Sequence, residues 1–425
     1  MFDLCKSNCT GCGACYSICP TGCISMEPDD EGFLYPIIAD EKKCTKCHKC
    51  EGRCPAIAQG PIRKPLNVYA AKNTNEEIRL QSSSGGMFSL FAEHIVQEGG
   101  IVFGARFNSA WEVIHGYAET IEDLLPFRGS KYAQSITGDT YKQVEYFLKN
   151  GKKVLYSGTP CQIAGLKTYL RKDYDSLLTI DVVCHGVPSP LVWKKYLNEI
   201  MDETTVALKN VNENIIADIN FRDKVKGWYI FTFVISFIFD KISPEKEKMT
   251  NNFFISDDKK MLLFMENAKK NSYMKGFLRD LYLRPSCYKC HARSLKSGSD
   301  ITLADYWGIR NVLPEFDDDK GVSMVMVNTE KGKQIYELLS KDDIETTYKD
   351  ALAGNYAIEK SPFPHSRRKK FFKEWNHKPI IYLSNKLATF PLRTFSMAMC
   401  FVLPRKLRIL RKLGLLSFIK KEFKR

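Results

Sequence analysis

One pattern near the start of the chain restricts what it can fold into more than any other. The spacing C-x2-C-x2-C-x3-C-P occurs over Cys9–Pro20 and returns over Cys44–Pro55. A 4Fe-4S cluster needs four thiolates, and in this spacing three cysteines wrap one cluster while the fourth faces the other cluster. The repeat therefore predicts an α+β ferredoxin-like domain over residues 1–62 that holds two 4Fe-4S clusters.

The eight repeated cysteines divide into two expected ligand sets. One set is Cys9, Cys12, Cys15 and Cys54, and the other is Cys44, Cys47, Cys50 and Cys19. Zinc knuckles are the alternative, because zinc also binds C-x2-C pairs, but tetrahedral zinc has no need of two matched sets of four. Cys5 and Cys23 fall outside the pattern and are expected to be packed or reactive thiols.

The use of cysteine also indicates the compartment. Most of the 15 cysteines lie between Cys5 and Cys54, and the first residues include an early acid but no apolar core of a signal peptide. Thiolates kept for cluster ligation belong in a reducing cytoplasm, so we expect a cytoplasmic protein. The most apolar stretch, Trp228 to Phe239, is too short to cross a bilayer and is predicted to be a buried strand.

The chain after the cysteine repeat divides into a core and an extension. A Pro- and Gly-rich linker at residues 59–65 separates the repeat from alternating strand and helix patterns over residues 66–350. Within these, residues 206–255 show strand-type alternation and are expected to form an antiparallel insert. We expect an α/β core with a mixed sheet, followed at 360–425 by a basic helical extension.

A βαβ unit is predicted inside this core. An apolar strand at Lys153–Ser157, an amphipathic helix at Gln162–Leu170 and a second strand at Leu177–Val183 imply a parallel pair. Sites in parallel sheets collect at the carboxyl ends of strands. Cys161 follows the first strand and Cys184 follows the second, so both are expected at such a site.

A second C-x2-C pair, Cys287 and Cys290, could join these two cysteines. Four converging thiolates would suffice for a third 4Fe-4S cluster. The alternative is that Cys161 and Cys184 are ordinary buried cysteines, which are common in protein cores. Spacing alone does not decide between the two interpretations.

Two short segments have features of a phosphate site. The loop Ser82–Gly86 precedes a predicted helix, where free N–H groups, hydroxyl donors and the positive end of the helix dipole suit a phosphate. Lys131, within Arg128–Tyr132, could also pair with a phosphate. The alternatives are a simple helix cap for the first segment and a solvated lysine for the second.

The C-terminal tail carries most of the net charge. Ten Lys or Arg and one Glu between Phe390 and Arg425 give a local charge of +9, out of +14 for the chain. Leucines at helical spacing over residues 407–416 predict a basic amphipathic helix, which could hold the protein at the inner face of the membrane. A helix packed on its own domain is the alternative. No recognition fold for nucleic acid is visible, so nucleic acid is not an expected partner.

Taken in order, these motifs resemble the coenzyme F420 hydrogenase/dehydrogenase beta-subunit family. The matching segments, which span roughly residues 5–310, are the double cysteine run, Ser82–Gly86, Arg128–Tyr132, Gly158–Gln162, Cys184–Gly186, Ile219–Lys224, the Cys287/Cys290 pair and Ser299–Gly308. The resemblance implies a flavoprotein that binds FAD in its α/β core and exchanges electrons between the flavin and iron–sulfur clusters.

The resemblance also implies particular site residues. The implied contacts to FAD come from Ser82, Ser83, Ser84, Gly85, Gly86, Ser130, Lys131, Tyr132, Thr159 and Pro160. It favours Cys161, Cys184, Cys287 and Cys290 as ligands of a third cluster. Family members reduce different small molecules, among them the deazaflavin coenzyme F420 and a chlorophyll intermediate. Bacterial members with a fused ferredoxin domain resemble proteins of surface-polysaccharide pathways, and their makers usually lack the deazaflavin, so the family name does not define the substrate.

These inferences combine into an expected oxidoreductase. Iron–sulfur clusters move one electron at a time, most organic reductions need two, and a flavin joins the two regimes. A ferredoxin-type donor protein would reduce the clusters, and electrons would pass through FAD to a small-molecule substrate, or in reverse. His185 is a candidate proton donor, with a structural histidine as the alternative. A non-catalytic electron-transfer subunit and a membrane-surface scaffold are the competing functions.

Overall fold

The computed structural model describes residues 6–208, 215–238, 252–256 and 261–389. The strands in these ranges are β1 Ile24–Pro28, β2 Leu34–Ile38, β3 Asn67–Asn73, β4 Ile101–Phe107, β5 Val113–Ala118, β6 Val154–Gly158, β7 Leu177–Val182, β8 Ile215–Asp223, β9 Thr232–Ile238, β10 Phe253–Ser256, β11 Met261–Asn267, β12 Ile301–Asp305, β13 Ser323–Val327 and β14 Lys341–Thr346. The predicted amphipathic tail helix and Cys5 lie outside the described residues.

The α-helices in the same ranges are α1 Ala14–Ile18, α2 Lys49–Gly52, α3 Glu76–Gln81, α4 Met87–Gln97, α5 Thr140–Lys149, α6 Pro160–Leu170, α7 Pro190–Leu208, α8 Ser272–Leu278, α9 Ile309–Val312, α10 Glu330–Leu338, α11 Tyr348–Gly354, α12 Arg368–Glu374 and α13 Ile380–Leu387. None of these helices, in the part of the chain that is described, is long and apolar enough to span a membrane.

The N-terminal segment folds as an antiparallel hairpin with short helices at the cysteine runs. Strands β1 and β2 pair with Ile24 opposite Ile38, and α1 begins directly after Gly13. Gly13 has φ of +80°, and a Cβ there would lie 2.6 Å from Oγ1 of Thr137 in the core. A glycine between the cysteines therefore serves two needs, a left-handed turn and close approach to the core.

A mixed sheet forms the centre of the molecule, as predicted. In the described residues it has eight strands in the order β14-β3-β13-β12-β7-β6-β4-β5. The predicted βαβ unit is confirmed, because β6 and β7 pair in parallel with Val154 opposite Leu177, and α6 connects them. Helix α6 begins at Pro160, whose fixed φ suits the first helical turn, and the Gln162 side chain accepts a hydrogen bond from the Thr159 amide at 2.9 Å.

The predicted antiparallel insert exists, but its boundaries differ from those expected. Among the residues described, β10, β11, β9 and β8 form this sheet in that order, and it extends to Asn267. Its first part is not strand, because α7 continues to Leu208, where apolar residues such as Trp193 and Tyr196 recur at helical spacing and are buried. Trp228 precedes the buried strand, which begins at Thr232.

The described part of the C-terminal extension packs on the core. Helices α12 and α13 place Phe371, Trp375 and Leu383 in the same buried cluster as residues of α7 and α8. Arg368 at the start of α12 forms an ion pair with Glu31 at the tip of the β1–β2 hairpin. The extension therefore contacts both the core and the N-terminal segment.

Candidate functional site

Four of the repeated cysteines come together where the N-terminal segment meets the core. Cys15 lies close to Cys9 and Cys54, and Cys12 lies close to Cys15 and Cys9. Burial, followed by the neighbouring Cys9 and Cys54, raises the pKa of the Cys15 thiol to about 12. Buried thiols this close repel one another as thiolates, and coordinated metal removes that cost because a metal-bound thiol is deprotonated outright. The arrangement fits the ligand set predicted for one 4Fe-4S cluster.

The other four repeated cysteines line a cavity of about 360 Å³, and they are Cys19, Cys44, Cys47 and Cys50. Cys23 lines the same cavity, with its Sγ 3.5 Å from Sγ of Cys19. Cys19 of the first run therefore lies beside three cysteines of the second run, while Cys54 of the second run lies near Cys15 of the first. In the described residues no group of three or more His, Cys, Asp or Glu side chains is arranged for a single metal ion.

The four remaining candidate cysteines, which are Cys161, Cys184, Cys287 and Cys290, converge on one internal cavity of about 620 Å³. Cys161 follows β6 and Cys184 follows β7, and the other two come from the turn after Arg284. Parallel β6 and β7 present their carboxyl ends on one side, which explains the convergence.

The chemical character of this cavity suits a cluster. Burial, then the neighbouring thiol of Cys290, raises the pKa of Cys161 to about 11, and burial raises the pKa of Cys287 to about 12. Apolar side chains complete the wall, and the cations Arg284 and Arg293 also line it. Four thiolates are a fitting donor set for a third 4Fe-4S cluster. The two arginines would offset the net negative charge that such a cluster carries when its ligands are counted.

Arg284 joins the first cysteine set to this cavity. The side chain is fully buried and donates to the Cys9 carbonyl at 2.8 Å, to the Leu34 carbonyl at 2.9 Å and to Oε1 of Gln134 at 3.0 Å. Its guanidinium also lies 4.2 Å from the centroid of the Tyr35 ring. The Arg284 side chain thus contacts both the first cysteine run and the β1–β2 hairpin, and it also lines the cavity of the third cysteine set.

Helix α6 gives a second close approach between the two sites. A Cβ added at Gly165 would lie 3.0 Å from Sγ of Cys12 and 2.9 Å from the hydroxyl of Tyr141. The same helix carries Cys161 in its first turn, and the Cys12 and Cys161 thiols lie near enough to raise the pKa of Cys12. A glycine on this face lets the first cysteine set pack directly against the helix.

An open cleft lies on another part of the core. It encloses about 1340 Å³ and is lined by residues 128–131 of the second predicted loop and by residues of the Ile219–Lys224 motif. Lys131 points its Nζ at the carbonyls of Arg128 and Gly129, at 2.8 Å and 3.2 Å. Burial lowers the pKa of Lys131 to about 7, so the site would gain from an anionic partner that keeps the ammonium charged.

The Ser82–Gly86 loop is hydrogen-bonded to the loop that lines this cleft. The Ser130 amide donates to Oγ of Ser83 at 2.8 Å, which ties the two predicted loops together. The hydroxyls of Ser82 and Ser84 donate to the carbonyls of Ile78 and Val322, and the Gly85 amide donates to Oγ of Ser323. Of the loop residues, Gly86 caps α4 with φ of +82°. These groups are used within the protein, while Ser130 and Lys131 line the cleft.

The remaining predicted residues lie away from the cleft lining. Tyr132 packs inward, with its ring centroid 4.8 Å from that of Phe277. Thr159 and Pro160 are placed at the cysteine cavity, where Oγ1 of Thr159 lies 3.2 Å from Sγ of Cys161. The structure therefore groups these two residues with the third cysteine set rather than with the serine loop.

His185 is directed away from the cysteine cavity. Its Nε2 lies 2.6 Å from Oδ1 of Asp280, and its ring meets the edge of Phe277 at 5.5 Å. Both sequence neighbours, Cys184 and Gly186, line the cavity. The hydrogen bond to Asp280 gives the imidazole a structural partner at this position.

Sequence reasoning missed the two buried arginines of the cysteine cavity. Arg293 donates to the carbonyls of Cys184, His185 and Ala357, and so holds the loop that carries Cys184. A signal was present, because Arg284 comes three residues before Cys287 and Arg293 comes three residues after Cys290. Cations that flank a C-x2-C pair are candidates for offsetting its charge.

Comparison with known proteins gives matches to two separate parts of the chain. Residues 151–351 match the family model for the C-terminal part of the coenzyme F420 hydrogenase/dehydrogenase beta subunit. Residues 8–58 match that of a 4Fe-4S dicluster domain.

Curated relatives fall into the same two groups. The coenzyme F420-dependent sulfite reductase of Methanocaldococcus jannaschii is 26% identical over 194 residues, 44% of this chain and 29% of that protein. One subunit of the F(420)H(2) dehydrogenase from Methanosarcina mazei is 25% identical over 205 residues, 45% of this chain and 58% of that protein. The chain thus spans less than two thirds of either relative. A ferredoxin-like protein in the nif region of Rhizobium leguminosarum bv. trifolii is 38% identical over 60 residues, 13% of this chain and 84% of that protein.

Fold, cysteine sites and matches together define an iron–sulfur protein of the oxidoreductase and electron-transfer class. More particularly, the chain joins an N-terminal 4Fe-4S dicluster domain, over residues 8–58, to a domain that matches the C-terminal part of the coenzyme F420 hydrogenase/dehydrogenase beta subunit, over residues 151–351.

Proposed function

We propose that this chain is an oxidoreductase that passes electrons between a donor protein and a small-molecule substrate through three iron–sulfur sites and a flavin. The observation that carries the proposal is the adjacency of the cysteine sets. The second set shares the cysteine repeat with the first, and the first contacts the third through Arg284 and through the approach of Cys12 to α6. Adjacent clusters form a path for single electrons.

The ligands proposed for the three clusters follow from these positions. Cys9, Cys12, Cys15 and Cys54 would hold the first, Cys19, Cys44, Cys47 and Cys50 the second, and Cys161, Cys184, Cys287 and Cys290 the third. Arg284 and Arg293 would offset the negative charge of the third site, and Thr159 would donate a hydrogen bond to the Cys161 sulfur.

The open cleft is the proposed flavin site. A bound flavin would couple single-electron transfer to a two-electron reduction. Lys131 and the amides around Ser130 would bind the anionic part of such a cofactor. The half-buried lysine shares the cleft with Asp218, but among the described residues it has no carboxylate at hydrogen-bond distance. The Tyr132 ring, next to Lys131 in the chain, packs against Phe277, and Phe277 contacts His185. Since His185 follows Cys184, packed side chains connect the cleft with the cysteine cavity.

Anaerobic reconstitution followed by iron, sulfide and flavin analysis tests the proposal. Three clusters predict about twelve irons per chain and two predict about eight. Stoichiometric FAD is expected in the wild type and should be lost in Lys131→Glu, because a carboxylate would repel a phosphate. Lys349→Glu, an exposed lysine on α11, serves as the matched charge control. A protein that holds iron but no flavin would contradict the enzyme proposal.

A second candidate is a non-catalytic electron-transfer subunit, favoured by the description of one relative as a dehydrogenase subunit. Turnover by the isolated protein with a dithionite-reduced dye separates the two functions, because only the enzyme consumes substrate alone. Two substrates are to be assayed first. One is coenzyme F420, which appears in the names of the relatives. The other is a precursor of a surface polysaccharide, which the resemblance to bacterial family members suggests.

A further inference from the structure

The two clusters proposed for the N-terminal domain differ in their exposure. In the second run every residue from Glu41 to Lys49 except Cys44 is exposed, and this includes Cys47. In the first run Cys12 is buried against the core. Electrons that arrive from outside the molecule would therefore reach the second site before the first.

The exposed run is also basic. Residues 41–53, which we call the 41–53 surface, contain four lysines and Arg53 against Glu41 and Glu51. Among the residues that the structure describes, Lys42, Lys46 and Lys49 form no salt bridge, and Glu51 is engaged by His48 at 2.9 Å. The 41–53 surface thus presents lysine charges around the exposed edge of a cluster site.

We propose that the 41–53 surface docks a small acidic electron-carrier protein, which exchanges electrons with the cluster held by Cys19, Cys44, Cys47 and Cys50. The inference rests on the proposed function and adds the location and charge of the partner. In each encounter one electron leaves the reduced centre of the carrier and enters this cluster. The carrier is oxidised by one electron, the cluster is reduced by one, and no bond is broken.

Physical chemistry favours a protein partner with negative charge. A cluster accepts single electrons, so a carrier with a one-electron centre matches it without a dedicated pocket. Unpaired lysines around the acceptor attract an acidic surface over several ångströms and raise the association rate, and this effect falls with ionic strength. Lysine keeps its head group in water, which suits a contact that must form and separate rapidly.

The test uses the reconstituted full chain and a reduced acidic two-cluster ferredoxin in anaerobic stopped-flow. Lys42, Lys46 and Lys49 are changed together to Gln. Lys269 and Lys270, which are exposed on the core, and Lys373, which is exposed on α12, are changed to Gln as the matched control. At low salt we expect the second-order rate of cluster reduction to fall about tenfold or more in the first variant and to stay at the wild-type value in the control. The salt dependence of the rate should weaken in the first variant.

Two further measurements separate the docking inference from its premises. Binding of the oxidised ferredoxin, followed by calorimetry, should weaken in the same variant. The double variant Lys42→Glu and Lys43→Glu, whose positions lie outside the lining of the cluster cavity, should also slow reduction by ferredoxin. Dithionite, a small reductant, should reduce the clusters of this double variant at the wild-type rate.

Each alternative outcome has a distinct meaning. Equal ferredoxin rates and affinities in the variants and the wild type would overturn the docking inference while leaving the clusters intact. Salt-sensitive binding of anionic phosphatidylglycerol vesicles, with no binding of ferredoxin, would also overturn it and assign the surface to a membrane. A wild-type protein that holds no iron after reconstitution would instead remove the proposed function itself.

Discussion

Replacement of Arg284 by methionine should loosen the N-terminal domain from the core. The guanidinium is fully buried and is the donor to two N-terminal carbonyls, those of Cys9 and Leu34, as well as to Gln134 of the core. Methionine fills much of the same volume but supplies no donor. The variant would therefore leave three acceptors without this partner, one of them buried and two partly buried.

The expected cost follows from those contacts. A buried polar group left unsatisfied costs about 1–3 kcal/mol, and the loss of a cation near the Tyr35 ring, 4.2 Å away, adds about 1 kcal/mol. Partial rearrangement of the Gln134 amide offsets part of the sum, so we expect about 4 kcal/mol of docking free energy to be lost. A change of this size raises the population of the undocked state by about a thousandfold.

Native-state hydrogen exchange on the reconstituted protein measures this population. Amides of the β1–β2 hairpin should exchange about a thousandfold faster in Arg284→Met, while amides of β6 and β7 keep their protection. Arg284→Lys should lie between the two, because it retains the charge but not the planar fork. Arg310→Met is the control, since that arginine is exposed and solvent screening leaves its ion pair with Asp317 little effect on stability.

Unchanged protection of the hairpin in Arg284→Met would refute the reasoning. It would mean that apolar contacts alone hold the N-terminal domain in place. Uniformly faster exchange through β6 and β7 would also contradict it, because the arginine would then support the whole core rather than the junction between the domains.

Three further outcomes are expected. Cys290→Ser should lower the iron content from about twelve to about eight per chain, measured by colorimetric assay after reconstitution. Gly165→Val should destabilise the protein by about 1–3 kcal/mol in chemical denaturation, because its side chain would overlap Cys12. Burial lowers the pKa of His115 to about 4 from its ordinary 6.5. The wild type should therefore lose up to about 3 kcal/mol of unfolding free energy as the pH falls from 6.5 toward 4. His115→Gln should remove this part of the loss at acid pH.

Matched variants accompany these three measurements. Cys23→Ser should leave the iron content unchanged, although Cys23 lines the second cavity. Gly52→Ala should be tolerated, since a Cβ at Gly52 meets nothing within 4 Å. His377→Gln, at an exposed position, should keep the wild-type acid profile. Full iron in Cys290→Ser, wild-type stability in Gly165→Val, or an acid profile of His115→Gln that parallels the wild type would each contradict the corresponding expectation.

Local sequence signals predicted those parts of the fold that depend on short spans of chain. The repeated spacing around Cys9 and Cys44 determines how a loop can present thiolates, and the apolar runs of β6 and β7 flank a helix of suitable length. Both features follow from periodicity within about thirty residues. The proposed domain boundaries at 1–62, 66–350 and 360–425 stay predictions.

Long-range pairing explains what the sequence could not predict. Strand β3 lies between β13 and β14, from the far end of the core, and no local pattern encodes that neighbour. The serine hydroxyls of the Ser82–Gly86 loop look free to bind a ligand in the sequence. The Ser84 hydroxyl nevertheless donates to the carbonyl of Val322, more than two hundred residues away. Arg284 looks like an isolated charge, and its role depends on carbonyls of another domain.

The hairpin tip at Glu31 limits how this protein can be rebuilt. Glu31 pairs with Arg368, its carbonyl accepts a hydrogen bond from Ser189, and a Cβ at Gly32 would lie 2.4 Å from Cβ of Leu191. The tip is therefore enclosed by segments that follow it by more than 150 residues. A different ferredoxin domain joined to this core at the linker would lack the side chains that make these contacts. Gene fusions made only at residues 59–65 should therefore give two domains that do not pack on each other.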